Sequence, residues 1–386
     1  MSNNRLVWLD ALRLTAGVSM VALHATADPN GQPFPAWDVS DRVGPLIIRT
    51  IIYTARTELF LMISIFLLLL ALGRRPRGYG ATMMEQARRL LLPFAFWTVF
   101  YAFYSLIKAQ EFGYFEDLIA GLQEPSTWLS FLLLGTSKYH MHFIPTLFGL
   151  LLLYPVFKLA KAHPWLGLGI LVCLVVKREI DGFLWANYMG APWFDYALRS
   201  VKIVTYAGYG LAAGALVGLW TRWGARPENG QWFGLICLSG MFLFAIKIIA
   251  MIKTLDTGTW PHGYAAGYWA DFLFPALLFS GCMVLAHRTW PAAISRIAKY
   301  SFGIYLCHPI FLDLIEIALR DQGFAPLEQV LIKIVVGISA TLALVLVLER
   351  ARPLAWTIGL GPLPFSRRDS HRDTAHPPVH QKRSTV

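Results

Sequence analysis

Charge is what this chain has least of. Asp, Glu, Lys and Arg make up only 15% of its 386 residues, against about 25% in soluble domains. With 56% hydrophobic residues, that shortfall excludes an ordinary water-soluble domain and points to the membrane. Cysteine is scarce as well. Cys173, Cys237, Cys282 and Cys307 stand alone in apolar stretches, with no CxxC pair and no metal-ligand spacing. A disulfide framework and a zinc site are therefore not expected, and the four read as small core hydrophobes. His140-Met141-His142 has no further ligand cluster beside it and reads as polar lining at an outer mouth, so no metal is expected. An internal repeat is also missing, which disfavours many transporter folds.

The chain has long apolar runs in place of these features. They define an all-α, polytopic membrane protein of about ten spans: 6–27, 45–73, 89–109, 143–160, 164–186, 198–220, 232–252, 268–287, 299–319 and 329–349. The fifth is the least apolar, because Lys177, Arg178, Glu179 and Asp181 crowd its second half. Residues 1–350 form one transmembrane domain, and 351–386 read as a basic, disordered cytosolic tail. The longest loops, 28–44 and 110–142, are rich in Pro, Gly and aromatic residues. Ala25-Thr26-Ala27 resembles a leader-cleavage site, but Asp10 and Arg13 interrupt the apolar stretch before it, so cleavage is not expected.

The net charge of +11 does not indicate nucleic acid, because the basic residues sit in short connections. Arg74, Arg75, Arg77, Arg88 and Arg89 follow the second span; Lys158 and Lys161, Arg222 and Arg226, and Arg288, Arg296 and Lys299 fill later even connections. Odd connections are poorer, apart from the one holding Lys177, Arg178, Arg199 and Lys202. This bias puts both termini in the cytosol, as in a multi-pass protein of the bacterial inner membrane.

Two ionisable residues interrupt the first span, WLDALRLTAGVSMVALHATAD. Arg13 and His24 have ten residues between them. Eleven steps of about 100° end roughly 20° past three full turns, so both side chains share one helix face. They lie about 16 Å apart along the axis, with Arg13 in the inner half and His24 near the outer surface. Ionisable groups in a span mark a polar path or cavity.

Five segments in order resemble the membrane acyltransferase-3 family, which includes O-antigen acetylases and exopolysaccharide acyltransferases. RLVWLDALRLTAGVSMVALHA matches a first-helix Arg and His separated by ten residues. ELFLMISIFLLLL, ARRLLLPFAFWTVFY, HFIPTLFGLLLLYPVF and KYSFGIYLCHPIFLDL resemble the family's later signatures. Two positions depart from the pattern: Ile65 replaces a Gly after Ser64, and His142 stands where Trp is usual. The hydrolase-like domain that some larger relatives carry is not seen.

The resemblance implies an O-acyltransferase. It would move an acetyl or other short acyl group from cytosolic acyl-CoA, the donor substrate, to a hydroxyl of an extracytoplasmic carbohydrate. Exopolysaccharide and cellulose-type glucan are the implied acceptors, with polysaccharide synthesis machinery as a partner; no permanently bound cofactor and no nucleic acid are implied. His24 is the expected general base, since imidazole titrates near neutral pH. Glu58 lies at similar depth and is the candidate to orient it; its rival role is an ion pair with Arg56. Arg13 is the candidate clamp for phosphate or thioester, its rival role an i,i+3 pair with Asp10. Arg56, Arg88, Arg89 and His142 complete the expected substrate-binding set, although topology alone also explains Arg88 and Arg89. Ser64 reads as a helix-packing residue rather than a nucleophile, and His308 as a helix-packing or gating residue. The alternative function is a transporter or flippase for a polysaccharide precursor, with the same charges lining its path.

Overall fold

The computed structural model describes residues 5–260 and 267–363. In chain order its helices are α1 (Val7–Ala25), α2 (Val39–Ile52), α3 (Thr57–Arg74), α4 (Tyr79–Phe112), α5 (Phe115–Gln123), α6 (Pro125–Leu133), α7 (Phe143–Leu152) and α8 (Tyr154–Ala162). They continue as α9 (Gly169–Tyr188), α10 (Phe194–Thr205), α11 (Ala207–Trp223), α12 (Gln231–Thr257), α13 (Tyr268–Val284), α14 (Ala292–Ala298), α15 (Ser301–Leu319) and α16 (Pro326–Arg350). No strand occurs among the described residues.

Among the described residues, six stretches are long and apolar enough to cross a membrane: Val39–Arg74, Tyr79–Phe112, Phe194–Trp223, Pro227–Thr257, Ser301–Leu319 and Pro326–Arg350. A seventh is formed if α7 and α8, bent by 63° at their junction, count as one. The other three of the ten expected segments are helical but fall short of that measure. Asp10, Arg13 and His24 dilute α1, four charges crowd α9, and α13 has only 17 residues. The loop expected over 110–142 is largely helical, since α4 runs on to Phe112 and α5 and α6 follow. Gly113 ends α4 in the left-handed conformation (φ +79°) that a C-terminal cap favours.

α1 lies in the middle of the body, packed against α3, α13, α14, α15 and α16. Trp8 anchors its start edge-on to Phe66 and Phe279, with ring centroids 5.9 and 5.7 Å away. At the periphery, α12 exposes Leu235, Leu238, Met241 and Phe242, an apolar face suited to lipid. α11 and α8 approach at backbone distance. A Cβ on Gly214 would stand 2.3 Å from the Phe157 carbonyl oxygen, and one on Gly218 2.3 Å from that of Lys161. Such small-residue stripes let membrane helices pack closely.

Ordered structure continues past residue 350, where the transmembrane domain is expected to end. Residues 355–358 form a helical turn against α4 and α16, and Trp97 Nε1 donates to the Thr357 carbonyl at 2.9 Å. This burial holds the segment to the body. Residues 364–386 of the expected tail lie outside the described residues.

Candidate active site

α1 carries the site as its periodicity dictates. At its start, the buried Asp10 accepts hydrogen bonds from Arg5 Nε at 2.6 Å and Ser295 Oγ at 2.7 Å. Arg13 reaches the same carboxylate only at 3.4 Å. With Asp10 satisfied elsewhere, the Arg13 fork faces a cleft of about 720 Å³. Arg75, Arg77, Arg89 and Lys299 also line that cleft, with Glu85 the acid among them. Arg77 and Arg89 both pair with Glu85. Lys299 pairs with Glu349 at 2.8 Å. With five cations against one acid in its lining, the cleft suits an anionic ligand, and guanidinium forks match phosphate oxygens. Ser64 lines the cleft, whereas Arg88 is exposed and not part of its lining.

Three helical turns along α1, His24 enters a layer of rings. Its centroid lies 4.2 Å from Tyr139 and 5.6 Å from His308, stacked on the latter at an interplanar angle of 21°. His140 follows, 5.0 Å from His308 and 5.1 Å from Tyr305. His308 Nδ1 lies 2.8 Å from the Tyr305 carbonyl. A carbonyl only accepts, so the proton sits on Nδ1 and leaves Nε2 as the acceptor. That Nε2, and both ring nitrogens of His140, are buried without a hydrogen-bond partner among the described residues. His140 sits in the loop ahead of α7. Burial, helped by the neighbouring His308, holds it well below the ordinary histidine range, so it is neutral near pH 7. His24 is half-buried and makes no hydrogen bond among the described residues, which leaves its imidazole open to a reactant.

The loop between α6 and α7 owes its place to two devices. Gly135 has φ +71°, and a Cβ there would stand 2.6 Å from the His142 backbone, so only glycine lets the loop close on itself. Arg199 on α10 then ties both ends. It donates to the carbonyls of Leu134 (2.9 Å) and His142 (3.0 Å) and to Thr146 Oγ1 (2.7 Å). Tyr305 adds a hydrogen bond from its hydroxyl to the His140 carbonyl at 2.7 Å. Together these contacts hold Tyr139 against His24.

Beyond the rings lies a layer of lysines and carboxylates. Lys138 pairs with Asp313 at 2.5 Å, Lys108 with Glu316 at 2.5 Å and Asp313 at 3.5 Å, and Lys333 with Glu316 at 3.3 Å. Asp313 and Glu316 sit on α15 beyond His308. Lys333 also donates to the Ala27 carbonyl and Lys108 to that of Pro29, fastening the turn that follows His24.

The other expected site residues have different partners. Glu58 accepts from the Tyr206 hydroxyl at 2.5 Å and pairs with Arg56 Nε at 3.3 Å; the ring neighbours of His24 are Tyr139 and His308. Arg56 lies over the rings of Tyr53 and Phe272, 4.5 and 4.4 Å from their centroids. His142 caps the loop, its Nδ1 donating to the Tyr139 carbonyl at 2.8 Å. Arg49, seven residues before Arg56, donates to the Leu23 carbonyl at 3.0 Å and to Thr26 Oγ1 at 3.2 Å, bracing the end of α1.

These elements define a multi-pass, all-helical membrane protein with a basic cleft and an imidazole layer joined by one helix. A family model described as an acyltransferase domain, of the acyltransferase-3 type, matches residues 6–350, and the chain belongs to that family of membrane acyltransferases. Comparison with curated proteins and with solved structures gives no match.

Proposed function

We propose that this protein transfers an acetyl or other short acyl group from cytosolic acyl-CoA to a hydroxyl of an extracytoplasmic carbohydrate, in the inner membrane with both termini in the cytosol. The observation that carries this reading is the alignment along α1 of the Arg13 cleft and the open imidazole of His24. The cleft suits the phosphates of coenzyme A, and its arm reaches along the helix face toward His24. There the acceptor hydroxyl attacks the thioester carbon. The new C–O bond forms as the C–S bond breaks, His24 takes the hydroxyl proton, and that proton passes to the departing thiolate. His24 is the general base in this reading, while Arg13, with Arg89 lining the same cleft, holds the donor. An exopolysaccharide or a cellulose-type glucan, delivered by synthesis machinery, is the acceptor that the family resemblance favours.

The test is acyl transfer by the purified protein in nanodiscs, with acetyl-CoA labelled in the acyl group. The expected result is thioester consumption with label appearing on glycan. Movement of a glycan precursor across the bilayer with the thioester intact would instead identify a flippase and overturn the proposal.

A further inference from the structure

Past the lysine–carboxylate layer, on the side of the molecule where α1 and α15 end and α16 begins, lies a second cleft of about 240 Å³. It is much smaller than the basic cleft and differs from it in character. Its walls include Phe34, Trp37 and Phe324, with the Phe324 ring well exposed. Its polar edge comes from Asp28, Glu316, Gln329 and Lys333. Flat apolar rings with carboxylate and amide groups between them match a pyranose, which presents C–H faces and a girdle of hydroxyls. Arg320 also lines the cleft, so two acids face two bases. That balance favours a neutral sugar over an anionic one.

The cleft is built rather than incidental. Phe34 is the one non-glycine among the described residues with positive φ (+56°), and it is buried. A bulky residue there is strained, and such strain persists where surrounding contacts enforce it. The turn is closed by Trp37 N–H on the Phe34 carbonyl at 3.1 Å, and Lys333 Nζ lies 5.7 Å from the Phe34 ring centroid. Asp28 Oδ1 accepts the backbone N–H groups of Asn30 and Gln32 at 2.9 and 2.7 Å. Its Oδ2 takes no hydrogen bond from the described residues. Gln329 spends its amide nitrogen on the Phe324 carbonyl at 2.8 Å, which leaves its amide oxygen to accept a hydroxyl. Asp28 is four residues beyond His24, and Glu316 is eight beyond His308, about 12 Å along α15.

We infer that this cleft seats one neutral sugar unit of the acceptor, next to the unit whose hydroxyl reaches His24. The inference rests on the acyl-transfer reading for its purpose, but binding tests it separately. Saturation-transfer NMR of the full-length protein in nanodiscs, with methyl glucoside, galactoside and mannoside as probes, should show contact with at least one. Trp37→Ala and Gln329→Ala should each weaken that binding about tenfold, as loss of one stacking or hydrogen-bonding contact does, while Trp37→Phe keeps most of it. In the transfer assay the same two variants should lower the share of acyl groups reaching glycan rather than water. Binding of none of the three probes by the wild type, or equal binding by wild type and both variants, overturns the inference. So does tighter binding of a methyl glucuronide. A wild type that binds glycoside but leaves acetyl-CoA intact would sink the acyltransferase reading and spare the sugar site.

Discussion

The roles proposed for Arg13 and His24 differ, and substitution should separate them. His24→Ala removes the proposed proton acceptor and should lower acyl transfer by about 10²–10⁴-fold with little effect on folding, because the half-buried ring has no hydrogen bond to lose among the described residues. Arg13→Ala should raise the KM for acyl-CoA, and Arg13→Lys should restore it only in part, since an ammonium lacks the planar fork. Steady-state kinetics with varied acetyl-CoA check both; normal turnover by His24→Ala would dismiss it as the base. The Arg13–His24 pair was legible in the sequence because helical phase is local and both residues belong to one helix. The partners of His24 were not. Tyr139 and His308 arrive from 115 and 284 positions along the chain, and only packing brings them together. Glu58 shows the same limit: its depth was legible, but not that Tyr206, 148 residues away, donates to its Oε1.

Among the elements, the α8–α11 contact is the least tolerant of added volume. Gly214→Val would drive its Cβ into the Phe157 carbonyl, 2.3 Å away. Overpacking of this kind costs about 1–3 kcal/mol or more. Thermal unfolding in detergent should show a clear loss of stability. Gly234→Ala, on α12 where a Cβ meets nothing within 4 Å, should be neutral or slightly stabilising. Equal melting of the two variants would mean that α8 and α11 are not in backbone contact. Gly210, Gly214 and Gly218 recur every four residues on α11, but only the packed structure shows that they meet α8. Span count was harder to read, because the helices that carry chemistry or charge, α1 and α9, look least like membrane helices. Loop 110–142 misled for a related reason: α5 and α6 are only nine residues each, too short for periodicity to stand out.

For the whole molecule, the basic connections predict that Gln32 faces outward and the C-terminus inward. An epitope inserted at Gln32 should be reached by antibody on intact spheroplasts, and one appended after Val386 only after permeabilisation. The reverse pattern would invert the site and put the sugar cleft in the cytosol. If orientation holds, the molecule stacks four tiers along one direction: guanidinium cleft, imidazole layer, lysine–carboxylate layer and aromatic cleft. The first two are riveted to a single rigid helix, and this makes α1 a ruler. The gap between Arg13 and His24 is graduated in residues and cannot stretch, so under the proposed reaction the length of the carrier arm must match it. The ruler also has a phase. Deleting one residue between Gly17 and Met20 would shorten it by only about 1.5 Å, yet swing His24 by about 100° away from the face that holds Arg13.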